Sequence, residues 1–430
     1  MVTTLFVLFV VLLAMAVPIF VVLSFSTLAA FWMHSSIPLE TIVQRLFAGL
    51  DKFALMAIPF FIVAANVMSA GGMSRRIIAV ANVLVGPPGS GPTRTLATVV
   101  ACMFFGAISG SSPATVVAMG GLLYPALVQG GYDKRFAIAL VVASGSIALI
   151  IPPSITMIVY GAVTGTSVGA LFVSGFGAGA AYGLGFMGYS YYYAKRNKIP
   201  SIPRPPWAQV RATLGDAKWG LGMPILIIGG IYGGIFTPTE AAAVAAVYAI
   251  VVALFIYREI GFREFWDVVV QSAGSTAQVM ILLAGASVFA YILTSERVTI
   301  VLTEAIVKWG ASQFTVLILI NIALLIAGML IDGASIILIL GPLLLPVALK
   351  VGVDPLHLGI IMVVNTAIGM FTPPFGLNLF VAGTVDEEWT MAKIIPPILP
   401  FIWVSLIPLL IVTYVPQVSL WLPKFIYGVR

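Results

Sequence analysis

Charged side chains are nearly confined to the gaps between long apolar stretches, and they make up 8% of a chain that is 61% hydrophobic. A soluble domain needs about a quarter of its residues charged to clothe its surface, so this sequence has too little polar material to face water. The bilayer is the solvent that fits. Crossing about 30 Å of hydrocarbon takes about 20 apolar residues per helix. Seven windows satisfy that length: Leu5 to Trp32, Phe53 to Ser69, Leu171 to Tyr193, Leu221 to Phe236, Ala241 to Tyr257, Gly274 to Leu293 and Ile394 to Tyr414. All but one of the eight Trp fall near the ends of these windows or between them, as interfacial anchors do, Trp403 being the exception.

The same composition excludes several classes of function. The net charge of +6 comes from 21 Lys and Arg scattered between apolar runs rather than gathered in a patch, so no nucleic-acid partner is expected. A lone Cys102 removes disulfide scaffolds and thiolate metal sites, and His34 and His357 are too far apart for a local zinc site; both read as interfacial polar residues. Catalysis at membrane depth would need a nucleophile with a base beside it, and Asp332 with the serines has no His or Lys partner. The chain is not expected to be an enzyme, and paired hairpins suit occlusion better than an open channel.

One segment is hydrophilic. Residues Ala194 to Lys218 carry Lys195, Arg196, Lys198, Arg204, Arg211 and Lys218 against one acid, Asp216, with Pro200, Pro203, Pro205 and Pro206 among them. The positive-inside rule places this linker in the cytoplasm. It divides the chain into a first repeat, 1–193, a linker with its connecting helix, 194–236, and a second repeat, 237–430. Each repeat runs span, amphipathic stretch (Leu39 to Lys52; Arg258 to Val270), span, two interrupted segments and a final span. The interrupted segments are hairpins at 93–127 and 314–350 and broken crossing helices at 136–171 and 356–384. With the connecting helix, an odd number of crossings precedes the second repeat and inverts it, an arrangement many secondary transporters use.

The interruptions are chemically specific. Gly106 to Pro113 places two glycines, three serines and a proline inside an apolar stretch, and Ser144-Gly145-Ser146 and Ile151-Pro152-Pro153-Ser154 break the next segment. The second repeat answers with Gly328 to Ser335, containing Asp332, and with Asn365 to Asn378, containing Pro373-Pro374. Each Pro-Pro pair follows its hairpin glycine, Gly110 or Gly333, by about forty residues. Proline removes a backbone donor and disturbs the preceding turn. Unwound backbone at membrane depth persists only inside protein or beside a water-filled cavity, where its carbonyls can hold a hard cation. An ionisable group such as Asp332 is a functional candidate there, with capping of the hairpin tip as its plain alternative. Gly175, Gly177, Gly179, Gly183 and Gly185 read as a packing face, and Thr239 and Glu240 as a helix start. Glu40 and Arg45 read as decoration of an interfacial helix.

These residues resemble one family across nearly the whole chain: the large membrane subunit of tripartite ATP-independent periplasmic (TRAP) transporters. The likeness is carried by Ala57-Ile58-Pro59-Phe60-Phe61, Gly106 to Ser112, Ile150 to Ser154 with Tyr160-Gly161, Gly234 to Ala242, Gly369 to Asn378 and Ser419 to Pro423. The resemblance implies an all-α polytopic fold with inverted repeats, two re-entrant hairpins and two discontinuous helices, working as a sodium-coupled elevator in the bacterial inner membrane. It implies two protein partners, a small four-helix membrane subunit and a soluble periplasmic binding protein that delivers an organic acid, with lipid around them. Sodium is the implied coupling ion, with no organic cofactor. Carried onto matching positions, one sodium site uses Ser109, Ser111, Ala148, Ile151 and Pro153, the other Gly328, Gly369, Thr372 and Phe375, mostly through backbone oxygen. Ser112, Asp332, Asn365, Thr366 and Asn378 are the substrate candidates. Asn66, Thr115 and Ala148 depart from the family's commoner Glu, Asp and Gly. An exchanger working without a binding protein is the alternative.

Overall fold

A computed structural model of the chain describes residues 1–15, 17–35, 38–84, 91–199 and 206–428, and among these the regular elements are all helices. Pro200, Pro203, Arg204 and Pro205 of the hydrophilic linker lie outside the described residues. Among the described residues seven helices are long and apolar enough to cross a membrane, which makes this a multi-pass membrane protein. Its outer surface is apolar, with Trp32, Phe47, Phe53, Trp403 and Phe425 each more than half exposed.

The interrupted segments form the centre. Gly91–Ser109 and Ser112–Gln129 are joined by a two-residue turn and fold back on each other, for Arg94 Nη1 at one base donates to Ala126 O at the other (3.0 Å). The next segment is Lys134–Gly145, a 3₁₀ turn Ser146–Leu149, an irregular stretch through Ser154, and Ile155–Thr164. In the second repeat Gln313–Gly328 and Gly333–Lys350 make the second hairpin, and Pro355–Gly369 with Leu377–Val385 the second broken helix. Every residue from 136 to 154 and from 357 to 372 is buried. A helix that is apolar all round is one packed all round, and these two, unwound tracts included, are the core. Both Pro-Pro bonds, Pro152-Pro153 and Pro373-Pro374, are cis.

Around this centre the structure revises several expectations. The stretch from Leu5 to Trp32 is two helices, Val2–Ala14 and Ile19–His34, because Pro18 supplies no amide to continue the ladder. The amphipathic stretch 258–270 is not separate from the span after it; 262 onward is one helix, Phe262–Ser295, of 34 residues. Residues 221–236 shorten to part of Lys218–Tyr232. The cap before Glu240 is Thr237, not Thr239: its hydroxyl takes the Glu240 amide while the Glu240 carboxylate takes the Thr237 amide, with Pro238 in the first turn. Trp389 is buried and donates to Tyr124 OH (3.1 Å) rather than anchoring at an interface. His357 is buried too, its Nε2 3.1 Å from Thr413 O.

The flanking helices meet at polar ties. Ala57–Ala70 runs beside the long helix, with Asn66 Nδ2 donating to Ser272 Oγ (2.9 Å). At the N-terminal end of the long helix, Arg75 and Arg76 pair with Glu259, and Arg76 also with Asp216 (3.1 Å), while its guanidinium lies 3.9 Å from the Tyr257 ring. At the other end Ser287 Oγ donates to Arg45 O (2.9 Å).

Candidate functional site at the paired helix breaks

Each hairpin presses its tip into the break of a crossing helix, and small residues make the approach possible. A Cβ built on Gly106 would lie 2.7 Å from Ala148 Cα; in the second repeat a Cβ on Gly328 would lie 2.9 Å from Gly369 Cα. The first tip turns at Gly110, whose φ of +57° belongs to the left-handed region that glycine enters without steric cost. A Cβ at Gly110 would lie 3.0 Å from Pro153 O.

The first group of cation candidates is thereby gathered in part. Gly110 carries Ser109 and Ser111 on either side, and Pro153 faces it; Ala148 touches the same hairpin through Gly106, while no contact places Ile151 at the tip. Ser109 Oγ lies 2.8 Å from Thr115 Oγ1, and both hydroxyls reach Ser111 O, at 3.2 and 2.8 Å. Pro153 O accepts no hydrogen bond from the described residues. A main-chain oxygen that is buried and unpaired is a costly thing to keep without a ligand.

The second group is tighter. Phe375 N donates to Met329 O (3.1 Å), tying the broken helix to the hairpin turn, and Thr372 N and Gly376 N bond to Gly369 O and Thr372 O at 3.1 Å each. Gly328 O and Phe375 O take no hydrogen bond from the described residues. A carbonyl holds two lone pairs, so Gly369 O and Thr372 O keep capacity as well. Thr372 Oγ1 donates to Ile368 O (2.6 Å). No cluster of three or more His, Cys, Asp or Glu side chains occurs among the described residues, so any cation held here relies on main-chain and hydroxyl oxygen.

Ser112, Asn365, Thr366 and Asn378 are buried and Asp332 is half-buried; the side chains of Ser112 and Asn378 cross-link the two repeats. Ser112, at the start of the first hairpin's second helix, donates to Asn378 Oδ1 (3.0 Å), and Asn378 Nδ2 reaches Ser112 Oγ (2.7 Å) and Val142 O (3.1 Å). Thr366 faces Gly333 of the second hairpin, which also meets Thr156 of the first broken helix. Each hairpin is thus locked to the other repeat's broken helix. Asn365 spends both Nδ2 protons on Asn321 Oδ1 (2.6 Å) and Ile361 O (2.8 Å), leaving its buried Oδ1 without a partner among the described residues. Asp332 caps the second hairpin's inner helix, accepting from Ala334 N, Ser335 N (3.1 Å each) and Ser335 Oγ (2.5 Å). Its capping role is therefore filled.

Beside the first tip lies a cavity of about 560 Å³ that reaches Ser109 and Ser111 and is walled on the far side by Asn66, Gln271, Ser275 and Gln278. Sequence reasoning passed over the last three. Their signal was a polar stripe at helical spacing on an otherwise apolar helix.

The comparisons with known proteins agree with this architecture. Residues 6–418 match the family described as tripartite ATP-independent periplasmic transporter, DctM component. The chain is 40% identical to the C4-dicarboxylate TRAP transporter large permease protein DctM of Vibrio cholerae, covering 99% of this chain and 98% of the relative. It is 43% identical to the Pseudomonas aeruginosa protein of the same description, covering 90% of each. It is also 43% identical to the isethionate TRAP transporter permease protein DctMQ of Oleidesulfovibrio alaskensis, where 97% of this chain spans 65% of the longer relative. Among solved structures, the Alcanivorax borkumensis YdaH transporter shares the fold at a TM-score of 0.66 and 13% identity, over 98% of this chain and 99% of that one. With matched breaks, matched hairpins and full-length similarity in hand, the chain belongs to the DctM family, the large permease component of TRAP transporters.

Proposed function

We propose that this chain is the transport subunit of a sodium-coupled importer of a small organic acid in the bacterial inner membrane. The acid is handed over by a periplasmic binding protein, and a small four-helix membrane subunit accompanies the chain, a pairing consistent with the fused DctMQ relative. The observation that carries the reading is the pair of tip-in-break contacts, Gly106 on Ala148 and Gly328 on Gly369, each beside main-chain oxygens left unpaired. Such oxygens suit a hard monovalent cation and need no ionised side chain.

In this reading both hairpins re-enter the membrane, and the interlocked hairpins and broken helices move as one body against the long helix and its neighbours. Ser112, Thr366, Asn378 and the amides of the two tips then meet the acid between the repeats. Sodium binding at both breaks orders the tips and raises affinity for the acid, and release of sodium on the cytoplasmic side lets the acid go. Names of relatives, for C4-dicarboxylates, isethionate and 2,3-diketo-L-gulonate, support an organic acid as cargo.

The test is uptake by proteoliposomes holding this chain, its small membrane subunit and its binding protein. Accumulation is expected with an inward sodium gradient and not with a proton gradient alone. Uptake that persists without sodium overturns the coupling, and uptake unaffected by omitting the soluble protein favours a binding-protein-independent exchanger instead.

A further inference from the structure

Two basic side chains face a cavity that the transport reading leaves unused. Arg45, on the helix Glu40–Leu50, and Lys52, just after it, line a space of about 380 Å³. Its scaffold wall includes Tyr291 and Thr294 of the long helix; its other wall is Ala162 of the first broken helix with Leu338 and Pro342 of the second hairpin. The Arg45 guanidinium sits 4.4 Å from the centre of the Tyr291 ring, which fixes its direction without neutralising it. Lys52 Nζ donates to Ala162 O (2.6 Å) in the last turn of Ile155–Thr164, where the helix dipole favours a cation. No Asp or Glu lines the cavity, and neither Arg45 nor Lys52 is in an ion pair among the described residues.

Its position adds meaning to its charge. Arg75, Arg76, Asp216 and Glu259 cluster at the N-terminal end of the long helix, on the side of the basic linker, whereas Tyr291 and Thr294 are at its C-terminal end. With the linker in the cytoplasm, the cavity opens outside, on the side where basic residues are normally scarce. The cavity at the first hairpin tip lies toward the other end, and no charged residue lines it among those described. A cleft lined by one sign of charge raises the local concentration and association rate of the opposite ion by 10- to 1,000-fold, on the order of what steered ligands show.

We propose that the Arg45–Lys52 cavity is an anion-capture vestibule, which concentrates the incoming carboxylate or sulfonate beside the second hairpin before it reaches the breaks. This rests on the reading of the chain as an organic-acid importer. Capture at a basic mouth and exit past a neutral one give the two sides of the transporter different kinetics for the same anion. The phosphate of an anionic lipid shares the chemistry of such a ligand, and the test separates the two.

Cys102, the sole cysteine, is fully buried and gives a silent background. Thr294→Cys and Ser275→Cys place single thiols in the two cavities, nineteen positions apart on one helix, about 28 Å at 1.5 Å per residue. The complex of this chain with its small subunit, in neutral detergent at low salt, is treated with a sulfonate-bearing or a trimethylammonium-bearing methanethiosulfonate. The anion-to-cation rate ratio is expected to be about tenfold higher at Thr294→Cys than at Ser275→Cys. Arg45→Gln with Lys52→Gln should abolish the difference, and Arg45→Lys should keep it; Ala290→Cys, on the same wall, serves if Thr294→Cys misfolds. Equal ratios in the two cavities, or a ratio indifferent to the double substitution, overturn the proposal, as does complete block of the thiol by added phosphatidylglycerol. No transported acid enters the assay, so its outcome is independent of whether uptake is sodium-coupled.

Discussion

Gly328 and Gly369 meet backbone to backbone: a Cβ on Gly369 would fall 2.5 Å from Gly328 Cα, closer than carbon atoms approach without bonding. The neighbour is main chain, so nothing flexible can give way. Gly369→Ala is expected to lever the second hairpin out of its break, with a stability loss of about 1–3 kcal/mol, as for other overpacked cores. Uptake should be lost before folding is. A Gly369→Ala protein with unchanged thermal midpoint and full uptake would show that the tip need not seat in the break.

The Ser112–Asn378 pair makes a different prediction. It joins the first hairpin to the second broken helix, and both residues are fully buried. Asn378→Ala strands the Ser112 hydroxyl and Val142 O, and stranded buried groups cost about 1–3 kcal/mol. Ser112→Ala should cost less, because Asn378 keeps Val142 O as a partner. The double variant should lose less than the sum of the singles, a coupling read from thermal unfolding of the four proteins in detergent.

At the N-terminal end of the long helix, burial works against the charge on Arg76, yet bonds to Glu259 and Asp216 hold its guanidinium above its ordinary value. A raised pKa of this kind stabilises the fold at every pH below the unfolded value, about 12.5 for Arg. Glu259→Gln should therefore cost about 1 kcal/mol, allowing for solvent screening, and the Arg76 part of that loss should be the same at pH 6 and pH 9. A thermal midpoint unaffected by Glu259→Gln would remove the cluster from the stability of the scaffold.

How much of this was legible beforehand follows from what each residue type constrains. Gly, Ser and Pro runs announced all four breaks, because those residues act on their own backbone: Gly110 and Pro153 fall where the sequence put them. Apolar runs located the spans, but joining or splitting them depended on single positions, and Pro18 split one window while the polar stretch after Arg258 continued as helix. Side-chain partnerships were not legible. Nothing near Trp389 in sequence indicates Tyr124, and Arg45 looked like surface decoration because the Tyr291 ring and the cavity beneath it come from a helix over two hundred residues away. The sodium candidates were placed by family resemblance, and the structure adds which of their oxygens are unpaired.

Equilibrium binding of radioactive sodium to the purified complex, in potassium-containing buffer, asks whether these unpaired main-chain oxygens hold the ion. Saturable binding selective over potassium is expected, with one site weakened by Ser109→Ala and the other by Thr372→Val, each by about tenfold, one charge–dipole contact's worth. Binding no greater than in a heat-denatured control, displaced equally well by potassium, or unaffected by both substitutions would contradict it.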